Sequence, residues 1–127
     1  LLGYQWVDGR LKVVLSMDVP KVVPPLIRKT VDVLLERNSL SRKDISHWMI
    51  HPGGKTVLEG IEKELGLSRK QTHWSWEVMR NYGNMSSSTL GCVAKFVQQN
   101  ERPHKAWGVA ATMGAGTAVN CCLVRWN

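Results

Sequence analysis

Ile45-Ser46-His47-Trp48-Met49-Ile50-His51-Pro52-Gly53-Gly54-Lys55 is the stretch that decides the fold class. Its opening run is mostly apolar and too short for a helix, so it reads as a buried strand ending at His51. Pro52-Gly53-Gly54 breaks that strand. From about Lys55 to Leu65, Val57, Leu58, Ile61 and Leu65 recur with helical spacing. Gly66 is the stop signal. Strand, glycine turn and helix in succession are a building unit of α/β sheets.

The pattern extends upstream. Leu11 to Met17 is β-prone, and Asp18-Val19-Pro20 reads as a turn or a helix N-terminus. Pro24-Pro25 is expected only in a first turn, so a helix is predicted from about Pro24 to Arg37. Its apolar face is Ile27, Val31, Leu34 and Leu35, and Ser39 to Asp44 is a polar linker.

Downstream, Ser68 with Gln71 resembles a capping box for a short helical segment. Trp74 to Arg80 is predicted helical. Ser86 or Ser87 is expected to cap a further helix reaching about Gln99, with Leu90, Val93, Ala94 and Val97 inward. Ala106 to Met113 and Thr117 to Trp126 read as strands of a hairpin, joined at Gly114-Ala115-Gly116. The order β, α, β, α, α, α, β, β predicts one α/β domain over residues 1–127, a mixed β-sheet covered by helices.

Composition narrows the function classes. The chain has 127 residues, 43% of them hydrophobic and 21% charged, which suits a folded domain. No apolar run approaches the roughly 20 residues that span a bilayer, and no signal peptide is visible, so no membrane partner is expected. The net charge is +7, but the cations are dispersed and do not alternate with aromatics. That reads as a solvated surface rather than a nucleic-acid face; a phosphate-bearing ligand such as coenzyme A could use a few of them. Cys92, Cys121 and Cys122 are odd in number and form no CxxC, which points away from disulfides and metal and towards a reducing, cytoplasmic compartment. Leu1-Leu2-Gly3-Tyr4 carries no initiator Met and reads as the interior of a longer chain.

Two residues carry chemistry. His51 stands where a buried strand meets glycines, a common place for ligand sites in α/β sheets. Asn84 stands in Tyr82-Gly83-Asn84-Met85-Ser86-Ser87-Ser88, just before a helix start. Taken singly, a His such as His51 is more often structural than catalytic, and an Asn such as Asn84 is more often a turn or capping residue. Taken together, an imidazole and a primary amide can donate two hydrogen bonds to one oxygen, which stabilises an enolate or oxyanion.

His51-Pro52-Gly53-Gly54, followed by Gly83-Asn84-Met85-Ser86-Ser87, resembles the C-terminal half of type III polyketide synthases, the chalcone and stilbene synthase-like members of the thiolase superfamily. Asp18-Val19-Pro20, the helix from Val57 to Leu67, Trp107-Gly108-Val109 and Gly114-Ala115-Gly116 extend the resemblance from about Gly9 to Trp126. Ketoacyl synthase III, a fatty-acid condensing enzyme, more often shows His-Gln-Ala-Asn and Gly-Asn-Thr-Ser at these places.

The resemblance implies a thiolase-like half-fold and decarboxylative Claisen condensation of malonyl-CoA onto an acyl group carried by a Cys. His51 and Asn84 match the catalytic His and Asn. Gly53, Gly54, Thr56, Ser86, Gly114 and Gly116 match positions around the pantetheine tunnel and the condensation cavity. The implied substrates are malonyl-CoA and a starter acyl-CoA, with no separate cofactor and no metal. The implied partners are a Cys-bearing N-terminal half, absent from these residues, and a second copy in a homodimer. A half of this kind is expected to be inactive alone, and a non-catalytic half is the alternative reading. Val13 replaces the family's gatekeeping aromatic. Thr112-Met113-Gly114-Ala115-Gly116 replaces the Gly-Phe-Gly-Pro-Gly of plant members, which shapes the cyclisation cavity. That loop and the closing Arg125-Trp126 are more similar to bacterial 3,5-dihydroxyphenylacetyl-CoA synthases.

Overall fold

A computed structural model describes residues 2–127. The chain opens with a hairpin, β1 (Leu2–Val7) and β2 (Arg10–Leu15). The long helix α1 (Val19–Arg37) follows, then a single 3-10 turn at Arg42–Asp44 and strand β3 (Ile45–Ile50). Three helices come next: α2 (Lys55–Leu65), α3 (His73–Tyr82) and α4 (Ser87–Asn100). β4 (Trp107–Gly114), a 3-10 turn at Ala115–Thr117 and β5 (Ala118–Arg125) complete the order.

The main sheet runs β3-β4-β5. β3 pairs parallel with β4, and β4 pairs antiparallel with β5. The expected mixed α/β sheet is therefore present. Parallel pairing needs a long crossover, and α2, α3 and α4 supply it.

Alternation in the strands divides the core. On one face Ile45, Trp48, Ile50, Val109 and Ala111 meet Ile27, Val31 and Leu35 of α1 and Leu58, Ile61 and Leu65 of α2. On the other, Met49 meets Val78 of α3 and Val93 and Val97 of α4. Each such side chain contributes roughly 1.5–3 kcal/mol on full burial. Gly60 lets α2 pack tightly on α1, since a Cβ there would stand 2.7 Å from Pro24 Cγ.

Three expectations need correction. α1 begins at Val19, not Pro24. Pro24 and Pro25 lie inside it as its sixth and seventh residues, past the four N–H groups that a helix start leaves unpaired, so each gives up one bond, to Pro20 O and to Lys21 O. The amino-terminal residues form β1, which the sequence reading did not foresee. Ser86 occupies the N-cap of α4, but its side chain makes no capping bond. The Ser68 and Gln71 exchange is present, with Ser68 N–H donating to Gln71 Oε1 at 2.9 Å and Gln71 N–H to Ser68 Oγ at 3.3 Å. It closes a turn, and the helix after it starts only at His73.

Candidate active site

His51 is fixed by the sheet. Its N–H donates to Ala111 O at 2.8 Å, which carries the β3–β4 ladder one residue past the strand. Gly53 N–H then donates back to His51 O at 3.0 Å, turning the chain towards α2. The turn is tight: a Cβ on Gly53 would lie 3.1 Å from Met113 Sδ and 3.8 Å from His51 Cδ2. A side chain at position 53 would therefore press on Met113 beside the imidazole.

The His51 residue is 6% exposed. Burial disfavours the charged ring and lowers its pKa from the usual 6.5. Nδ1 is buried with no partner among the described residues. A buried orphan N–H is rarer and costlier than an orphan acceptor, so the single proton of the neutral ring is assigned to Nε2. An imidazolium at this position would need an anion beside it to overcome burial.

Asn84 is placed by the end of α3. Gly83 leaves the helix at φ 72 after its N–H donates to Met79 O at 2.9 Å. The Asn84 side chain then accepts from Ser86 N–H through Oδ1 at 2.9 Å. That bond occupies the amide oxygen and leaves the Nδ2 hydrogens for another acceptor.

His51 and Asn84 line one cavity of about 690 Å³. Gly53, Gly54, Thr56, Ser86 and Gly114 line it with them. Gly116 does not; it sits in the following turn at φ 75. None of the three cysteines lines the cavity. Cys92, on α4, packs against the Met49, Val78, Val93 and Val97 cluster, Cys121 is half-buried and Cys122 is exposed.

Sequence reasoning named only Val13 of one wall. Leu2, Tyr4, Val13 and Leu15 of the β1–β2 hairpin line the cavity. Leu2 pairs with Leu15 and Tyr4 with Val13, so all share one face. The signal was Asp8-Gly9, a hairpin-turn dipeptide, here with φ 52 and φ 70.

Residues 4–126 match the chalcone and stilbene synthases, C-terminal domain. The chain belongs to that family. A 3,5-dihydroxyphenylacetyl-CoA synthase of Streptomyces toyocaensis is 35% identical over 128 residues, covering 98% of this chain and 33% of the relative. A 1,3,6,8-tetrahydroxynaphthalene synthase of Streptomyces peucetius subsp. caesius is 32% identical over 127 residues, covering 99% of this chain and 34% of the relative. The crystal structure of PKS-I from the brown alga Ectocarpus siliculosus superposes with a TM-score of 0.91 at 27% identity, over 99% of this chain and 35% of that one. A type III pentaketide synthase from Neurospora crassa gives 0.86 at 28% identity, over 99% and 37%. The thiolase-like α/β fold read from the sequence therefore holds for this C-terminal domain of the chalcone and stilbene synthases. The chain spans about a third of the length of the curated relatives it matches. Among the described residues, no helix is long and apolar enough to cross a membrane.

Proposed function

We propose that this chain is the donor-bearing part of a type III polyketide synthase that condenses malonyl-CoA units onto a starter acyl group. The observation that carries the reading is that His51 and Asn84, from separate loops, line one cavity with free donor capacity. In this reading malonyl thioester binds with its carbonyl oxygen between His51 Nε2–H and Asn84 Nδ2–H. The bond to the carboxylate breaks and CO₂ leaves. The electron pair moves into the thioester, and the two donors hold the enolate oxygen. The enolate carbon then attacks an acyl thioester on a Cys, whose thiolate departs.

The neutral imidazole suits this role. Burial keeps the ring uncharged, and a neutral donor polarises a carbonyl without protonating the enolate. Gly53 and Gly54 leave room for backbone to approach the pantetheine arm. Thr56, Ser86 and Gly114 belong to the walls around the arm and the growing chain. Coenzyme A thioesters are the substrates, and no separate cofactor is proposed. The nucleophile comes from a Cys-bearing N-terminal half, and the complete enzyme is a homodimer. The chain acts as one domain, in the cytoplasm, where its three thiols stay reduced.

The test uses the complete polypeptide with its Cys-bearing half. His51→Ala and Asn84→Asp should each lower malonyl-CoA decarboxylation roughly 10²–10³-fold, the usual loss for one oxyanion donor. Full CO₂ release by both variants would overturn the proposal.

A further inference from the structure

Thr89 has no part in the reading so far, yet it is wholly buried at 0% exposure. It stands in the first turn of α4, three residues after the N-cap Ser86. Its Oγ1 accepts from Met85 N–H at 2.7 Å, and its own N–H donates to Ser86 O at 3.1 Å. It thus grips the loop on both sides of Ser86.

What it grips is strained. Ser86 has φ 61 and ψ −136, a backbone conformation ordinarily left to glycine. Strain of this kind persists only where the surroundings impose it. The consequence falls on Asn84. In this conformation Ser86 N–H points back to Asn84 Oδ1 at 2.9 Å. An amide flip would set its NH₂ against the Ser86 N–H, donor against donor. The local order is a capping box with shifted partners: the third helical residue reaches back, but to the residue before the cap. The cap's own N–H serves Asn84 instead.

We infer that Thr89 is a positioning residue for Asn84: by holding Met85 N–H and Ser86 O, it keeps Ser86 strained and so directs the amide's NH₂ towards the cavity. Thr89 does not line the cavity. The inference rests on the proposed donor role of Asn84 for its catalytic consequence, but not for its geometry.

The experiment compares Thr89→Val and Thr89→Ser in the complete polypeptide. Valine keeps the shape and loses the acceptor, whereas serine keeps the acceptor. Thr89→Val should lower kcat for malonyl-CoA decarboxylation about tenfold or more with KM little changed, short of the roughly 10²–10³-fold of losing the donor outright. Thr89→Ser should restore kcat to within about twofold, since its Oγ still accepts from Met85 N–H. Crystal structures of both variants give the second readout. Thr89→Val should show Ser86 relaxed to negative φ and Asn84 Oδ1 released from Ser86 N–H. An unchanged Ser86 and Asn84 in Thr89→Val would overturn the inference, as would a kcat loss that Thr89→Ser fails to rescue. A reoriented amide with undiminished decarboxylation would sustain the inference and instead overturn the donor role of Asn84. If Thr89→Val does not fold, Thr89→Ala with the same two readouts decides the matter.

Discussion

Gly108 lies directly beneath the indole of Trp126: a Cβ built on Gly108 would stand 2.5 Å from Cζ3 and 2.8 Å from Cη2. The same indole donates from Nε1 to Gln98 Oε1 at 2.6 Å and meets the His47 ring edge-on at 5.3 Å. One side chain near the carboxyl end therefore ties β4 to α4 and β3. Gly108→Ala should destabilise the fold by about 1–3 kcal/mol through overpacking. Trp126→Leu removes the obstacle, so the double variant should lose less than the two single losses combined. Urea denaturation of the four proteins measures this coupling, and strict additivity would refute it.

Glu62 of α2 is the polar counterpart of that clasp. It is buried and accepts from Trp76 Nε1–H at 2.6 Å and from the Thr72 hydroxyl, while Arg69 approaches at 3.4 Å. The Arg69 guanidinium also covers the Trp76 ring, 3.5 Å from its centre. Glu62→Ala leaves a fully buried Thr72 hydroxyl and the indole N–H without their acceptor, at a cost of about 2–4 kcal/mol. Glu62→Gln keeps one carbonyl acceptor and should lose less. A calorimetric melt of both variants checks the ranking, and equal losses would show that the carboxylate's acceptor capacity is not what matters.

Much of this architecture is legible in the residues alone, for local reasons. β3, β4 and β5 are short apolar runs bounded by glycine or polar loops, and α2 has both an apolar face and Gly66 at its left-handed C-cap, φ 68. The start of α1 was missed because a proline pair reads as a helix start, whereas burial of Val19, Val23 and Pro24 carries this helix past the two bonds that Pro24 and Pro25 give up. β1 was missed because Asp8-Gly9 is too short to stand out beside two strands of mixed polarity. At the site, the pairing of His51 with Asn84 was readable from the flanking glycines and serines. The hairpin wall beyond Val13 and the Thr89 grip were not. Both depend on register and backbone strain, which emerge only when distant segments are packed.

Ser86 offers a direct measure of that strain. At φ 61 and ψ −136, a serine bears a penalty of about 1–3 kcal/mol that glycine does not. Glycine in turn loses roughly 0.5–1 kcal/mol more backbone freedom on folding. Ser86→Gly should therefore raise stability by about 1 kcal/mol, whereas Ser86→Val should lower it. Chemical denaturation decides the sign, and a glycine variant less stable than the parent would mean that the serine side chain holds the turn.

Cys121 and Cys122 are neighbours with opposite environments. Burial, with a smaller contribution from the adjacent Cys122, pushes the Cys121 thiol from 9.0 up to about 11. Cys122 is exposed on the other face of β5. At pH 8 about one Cys121 in a thousand is thiolate, and the thiolate is the reactive form. Iodoacetamide at pH 8 should modify Cys122 well before Cys121, with Cys121 reacting only on unfolding or near pH 11. Peptide mapping by mass spectrometry reads the order, and equal rates at pH 8 would contradict the burial of Cys121.

His51 gives the fold a defined acid response. Its folded-state pKa lies below the 6.5 of an unburied imidazole because burial disfavours the charged form. The unfolded chain therefore takes up the proton first as the pH falls. Above about pH 6.5 both states are neutral at this position and the full stability is present. Below it, stability declines as the pH drops through the folded-state value. His51→Gln removes this linkage, and the other histidines are common to both proteins. The difference in unfolding free energy between parent and variant should thus shrink from pH 7.5 to pH 5, in the variant's favour. Denaturation at half-unit pH steps tests it; a difference independent of pH would mean that His51 titrates alike in both states and is not held neutral for donation.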